Sequence, residues 1–142
     1  MAIDFSPLAS AISQLETSLV YATSEMAKND DALFEQFRNS VIQCFEFTYE
    51  LSHKMLKRYL EAAAANPEAI DLSTFQNLIR MGNEKGLLRS DWAVWRDYRL
   101  ARSNSSHTYD GNKAEAVYHI AADFLVEAKY LYQQLVEKSL EG

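Results

Sequence analysis

Apolar residues recur at helical spacing along almost the whole chain. Leu8, Ile12, Leu15, Leu19, Ala22 and Met26 follow one another at alternating steps of four and three, which places them in one stripe on a helix. Ser6 is positioned to cap that helix, and Pro7 to stand at its first turn, where no backbone N–H is required. Asn29, Asp30 and Asp31 interrupt the stripe and can cap the next helix. A second helix is predicted from about Asp31 to Ala65, bearing Phe34, Phe37, Val41, Phe45, Leu51, Met55, Tyr59 and Leu60. So broad and aromatic a face suits packing on more than one neighbour. Pro67 ends the run by disfavouring helical geometry at Asn66.

Two shorter helices come next. Ser73 caps one that carries Phe75, Leu78 and Ile79 and is closed by Gly86. Ser90 caps another, with Trp92, Trp95, Tyr98 and Ala101 on one side, and this helix is expected to fray near Ser105. A last helix spans about Lys113 to Leu140, with Val117, Ile120, Phe124, Leu131 and Leu135 inward. No alternating pattern signals a strand, and there is no internal repeat. The expected fold is all-α: an antiparallel up-and-down bundle of the four-helix type with a short extra helix, residues 1–142 forming one domain.

Composition narrows the class. The 142 residues are 48% hydrophobic and 24% charged, as in an ordinary globular chain that can bury a core. The single cysteine, Cys44, lies in an apolar helical run and reads as a small core residue. The N-terminal MAIDFSPLAS lacks a basic stretch followed by an apolar one, and no apolar run approaches the roughly 20 residues of a membrane span. A cytoplasmic protein with no membrane association is expected. The net charge of −6 argues against a general nucleic-acid binder. Yet Ser73–His107 carries Arg80, Lys85, Arg89, Arg96, Arg99 and Arg102 against Glu84, Asp91 and Asp97, a balance of +3, while the remainder is −9. An anion site, if there is one, belongs in that block.

Three stretches carry candidate chemistry. FEFTYEL, residues 45–51, puts Glu46 and Glu50 one turn apart. They can act as an acid–base pair, or form a solvated face in which Lys54 answers Glu50. WAVWRDYRLAR steps Arg96, Arg99 and Arg102 along a helix between Trp95 and Tyr98. Guanidinium groups grip phosphate and aromatic faces stack bases; alternatively Asp97 pairs with the arginines while the tryptophans fill the core. In RSNSSHTYD, residues 102–110, Arg102 and His107 stand five positions apart. That is roughly 140° round a helix, so they share a face only if the helix ends between them. Ser103, Asn104, Ser105 and Ser106 favour such an end, because their side chains compete for backbone hydrogen bonds. There Arg102 can hold a phosphate while His107 moves a proton near neutral pH, with Tyr109 beside them; alternatively the segment only caps the helix end. No HExxH, repeated Glu-x-x-His or Gly-rich phosphate loop occurs, so neither a metal nor a cofactor is expected.

RNSVIQCFEFTYELSHKMLKRYLE, residues 38–61, taken with RSNSSHTYD, resembles the nucleotidyltransferase substrate-binding proteins of the HEPN superfamily, in motif order over most of the chain. The resemblance implies an all-α bundle forming a two-fold homodimer, with two copies of the motif across a shared cleft that takes RNA or a nucleotide. It implies a small nucleotidyltransferase encoded nearby as partner, in a toxin–antitoxin-like pair. Carried onto this chain, Arg102 stabilises charge on a scissile phosphate and His107 is the general acid or base. Tyr109 is a cleft residue and the site of adenylylation, and Arg99, Asn104 and Ser106 complete the binding set. The family suggests two functions: a partner subunit that presents substrate to the nucleotidyltransferase, or a metal-independent ribonuclease toxin that the partner neutralises. The acidic overall charge favours the first. Two positions depart from the family pattern: Ser103, where an asparagine is common, and His53, where a tryptophan is usual. The second difference concerns packing.

Overall fold

The computed structural model describes residues 3–141. Its elements, in chain order, are α1 (Ser6–Ala22), α2 (Glu25–Lys28), α3 (Asp31–Ala63), α4 (Pro67–Asp71), α5 (Phe75–Glu84), α6 (Trp92–Asn104), a 3₁₀ turn (Ser105–His107) and α7 (Gly111–Glu141). Among the described residues there is no strand, and no helix is long and apolar enough to cross a membrane.

Side-chain caps decide where these helices begin. Asp30 Oδ1 accepts from Leu33 N at the head of α3, and Thr74 Oγ1 from Asn77 N at the head of α5. Asp91 Oδ1 accepts from Val94 N at the head of α6. Two of these caps fall one residue after the predicted serines, Ser73 and Ser90. At α1 the difference is of the same size: Phe5 occupies the cap, Ser6 is the first helical residue, and the Ser6 N–H donates to Asp4 Oδ1 at 2.9 Å. Hydrogen bonding from Ser6, its side chain first and its backbone N–H second, lowers the Asp4 pKa.

The stripe predicted through Met26 breaks earlier. Thr23 Oγ1 donates back to the Leu19 carbonyl, and Ser24 caps a separate single turn by accepting from Ala27 N. The register therefore resets: Ala27 is buried and Met26 is 55% exposed. The long helix closes at Ala63 rather than Ala65, and Pro67 opens α4, a turn absent from the predicted elements. Gly86 does end the region of α5, at φ 72°, a left-handed conformation that suits glycine.

Contacts fix the directions of the bundle. Ser18 meets Ser40 while Ala11 O meets Thr48, so α1 and α3 are antiparallel. Phe34 packs on Tyr118 and Phe45 on Phe124, so α3 and α7 run the same way, side by side. Arg89 N bonds Glu127 while Tyr98 packs on Phe124, which turns α6 back against α7. Consecutive long elements reverse, as in the predicted up-and-down bundle, and α4 and α5 bridge α3 to α6.

The core follows from periodicity. On α7, Ala114, Val117, Ala121, Phe124, Ala128, Leu131 and Leu135 are fully buried at alternating steps of three and four, while Ile120 is only half-buried. Phe124 is the hub of an aromatic cluster, with ring centroids 5.4 Å from Phe45, 5.6 Å from Trp95 and 5.0 Å from Tyr98, all near edge-to-face. Pairs of this geometry contribute about 0.5–1.5 kcal/mol each beyond burial. Burial pushes the Tyr49 and Tyr98 hydroxyls up to about 12. Glu127, wholly buried, accepts from Arg89 N at 2.7 Å and so pins the loop that leads into α6. The cluster and this pin together fix where α6 ends.

Candidate functional site

The end of α6 is built by its serines. Ser105 Oγ donates to the Arg102 carbonyl at 2.6 Å, and Ser106 Oγ donates to the Ser103 carbonyl at 3.2 Å. These bonds occupy carbonyls that the next helical turn would have used, and the chain tightens into the 3₁₀ turn Ser105–His107. Asp110 then starts α7 by accepting from Asn112 N and Lys113 N, so this helix begins at Gly111, two residues before the predicted Lys113. The segment expected to fray is instead a defined corner between two helices.

Arg102 does not point into open solvent. Its Nε and Nη2 both lie 2.9 Å from Glu50 Oε1, and its Nη1 lies 3.1 Å from Glu46 Oε2 and 3.2 Å from Ser105 Oγ. Glu46 and Glu50 are therefore neither a free acid–base pair nor a plain solvated face. They cross from α3 to cage the arginine of α6, and Glu50 turns to Arg102 rather than to Lys54. Asp97, the acid beside the arginines in sequence, takes no part in the ion pairs of the described residues. Ser105 is not among the residues the sequence points to, since no local pattern marks it as an arginine acceptor.

Arg99, one turn earlier, makes a different contact. Its guanidinium lies over the Phe75 ring, 5.4 Å from the centroid, a cation–π contact on the outside of the aromatic core. Trp95 and Tyr98 are buried, which gives them to the core and not to base stacking. His53 packs its edge on Phe75 at 4.7 Å, consistent with a packing role, and burial lowers its pKa.

His107 and Tyr109 form the second half of the corner. His107 Nδ1 is 3.3 Å from the Tyr109 hydroxyl, and the two rings meet edge-on at 5.9 Å. Tyr109 is 85% exposed. Asn104 is half-buried at the last position of α6, and Ser106 is exposed. Arg102 with Ser105, and His107 with Tyr109, thus make two adjacent bonded groups rather than one. Cys44, expected in the core, is half-buried and lies 3.4 Å from Ser18 Oγ in the groove between α1 and α3.

The family described as nucleotidyltransferase substrate binding protein like matches residues 3–137. The chain belongs to this family. Among solved structures, a Haemophilus influenzae protein described as having the fold of a substrate binding domain of a nucleotidyltransferase superposes with a TM-score of 0.87 and 36% identity, over 93% of this chain and 98% of that one. A probable ribonuclease HepT of Haemophilus influenzae is 44% identical to this family member over 98 residues, 69% of this chain and 66% of the relative's own length. One relative is thus described by the fold of a substrate binding domain and the other as a probable ribonuclease.

Proposed function

We propose that this chain is the partner subunit of a small nucleotidyltransferase, working in the cytoplasm as one domain, and that the Arg102–Tyr109 corner is its working end. The observation that carries this reading is the exposed Tyr109 with its hydroxyl against His107 Nδ1. An accessible phenol beside a potential proton acceptor is what an enzyme that transfers nucleotidyl groups needs. The Tyr109 oxygen attacks the α-phosphorus of a nucleoside triphosphate, the phenolic proton passes to a base, and pyrophosphate leaves. Arg99, Asn104 and Ser106 border the same corner and would meet the incoming nucleotide. Two copies related by a two-fold axis bring two such corners to one cleft. Light scattering is expected to report twice the chain's mass, and a monomer removes the shared cleft from the proposal.

The test is to incubate the protein with the small nucleotidyltransferase encoded nearest to it and ATP, and to follow intact mass. A gain of nucleotidyl units that disappears in Tyr109→Phe supports the reading. An unchanged mass in a mixture that shows no complex on size-exclusion chromatography defeats it.

A second reading is favoured by the relative described as a probable ribonuclease. A 2′-hydroxyl attacks its own phosphate, the 5′-oxygen leaves, and the step needs proton transfer and stabilisation of developing charge. His107 supplies the first and Arg102 the second. Cleavage of total RNA in EDTA that is lost in His107→Ala supports this reading; equal cleavage by both proteins assigns the activity elsewhere. The readings are compatible, since a nucleotidyl group on Tyr109 would crowd His107.

A further inference from the structure

The ion pairs around Arg102 are unequal. Glu50 Oε1 bridges Nε and Nη2, at 2.9 Å from each, and so covers the edge whose two parallel N–H groups an incoming phosphate takes bidentately. The Glu50 side chain is 57% exposed and can swing into water at little cost. On the other side, Nη1 is held by Glu46, 28% exposed, and by the buried Ser105, whose hydroxyl is itself tied to the Arg102 carbonyl. One guanidinium between two carboxylates leaves the cluster with a net charge of −1. Such a cluster repels phosphate until one carboxylate withdraws, and only Glu50 is placed to withdraw without loosening the arginine.

We infer that Glu50 gates phosphate binding at Arg102, while Glu46 and Ser105 keep the guanidinium in position when the gate opens. The inference rests on the reading that Arg102 takes the phosphate of a nucleotide or an RNA strand. Phosphate replaces Glu50 on the Nε–Nη2 edge, Nη1 stays where it is, and the released carboxylate is solvated. Glu50 is thus a positioning residue that acts through Arg102. Abolishing its charge strengthens binding about two- to fivefold, the scale of a solvent-exposed ion pair.

The experiment is fluorescence anisotropy of the full-length protein with a short fluorescein-labelled single-stranded RNA, with ATP as competitor to distinguish strand from mononucleotide. Glu50→Gln keeps the shape of the side chain and one acceptor oxygen while removing its charge. It is expected to bind about two- to fivefold more tightly, and the gain should vanish when Arg102→Ala is added, because it acts only through that arginine. Glu46→Gln removes the same charge but leaves the Nε–Nη2 edge covered by Glu50, so it should tighten binding clearly less. Equal tightening by the two glutamine variants reduces the effect to general charge and overturns the gate. If Arg102→Ala loses binding and Glu50→Gln gains none, the gate alone fails. If Arg102→Ala binds both probes as wild type does, the phosphate reading of the corner fails with it.

Discussion

Trp95 and Arg102 stand two turns apart on α6 and are held by opposite physics. Trp95 is 1% exposed and surrounded by the rings of Tyr49, Phe75, Tyr98 and Phe124. Its energy comes from area and contact, large in sum and tolerant of small shifts. Arg102, with 31% of its side chain exposed, is held by two carboxylates and a hydroxyl. Those contacts are weak as stabilisers but strict about direction. The same helix therefore contributes stability through its inner face and orientation through its outer end. A protein organised this way can lose the outer end without losing the fold.

The strongest way to test that separation is from the inside. Trp95→Ala is expected to lower the unfolding free energy by about 3–5 kcal/mol, measured by urea denaturation, because four aromatic neighbours cannot close over the gap. The indole Nε1–H is buried without a partner, so Trp95→Phe should cost clearly less than Trp95→Ala. Gly86→Ala forces a side chain into the left-handed region at φ 72° and is expected to cost about 1–2 kcal/mol. If Gly86→Ala leaves the urea midpoint unchanged, the closure of α5 does not hold the loop that Glu127 pins.

From the outside the expected effect is small in stability and large in binding. Arg102→Ala should stay within about 1 kcal/mol of wild type in urea, since a partly exposed ion-pair cluster contributes no more than that. In the same protein, anisotropy should show RNA binding lost. A variant that unfolds would show that the corner and the core are one unit, and the contrast between Trp95 and Arg102 would collapse.

The two regions also differ in how far the sequence revealed them. The buried stripe of α6 and the heptad-like stripe of α7 are local patterns, and the helices appear where those patterns run. The caps fall one residue beyond Ser73 and Ser90 because a polar neighbour, Thr74 or Asp91, competes for the same role, and only the backbone geometry selects between them. Met26 continued the α1 stripe in sequence, but Thr23 and Ser24 offered side-chain bonds that a count of apolar residues ignores. The corner Arg102–Tyr109 was marked by its serines, and the structure places the helix end there. What could not be read was the partner of the arginine. Glu46 and Glu50 lie more than fifty residues away, and their approach depends on how α3 and α6 cross, which no local spacing encodes.

His53 gives the finest test, because it touches both regions: its ring packs on Phe75, and Glu50 lies one turn before it. Burial is the leading influence on it and lowers its pKa, although Glu50 pulls the other way. In the unfolded chain a histidine titrates near pH 6.5. Below that value the unfolded state takes up a proton before the folded state does, so the contribution of His53 is complete above about pH 6.5 and declines as pH falls toward the folded pKa. His53→Leu removes the titrating group while keeping an apolar contact with Phe75. Its urea midpoint should therefore depend less on pH between about 6.5 and 5 than that of wild type. Parallel pH profiles for the two proteins would mean that Glu50 offsets burial fully, and His53 would then belong with the electrostatics of the corner rather than with the core.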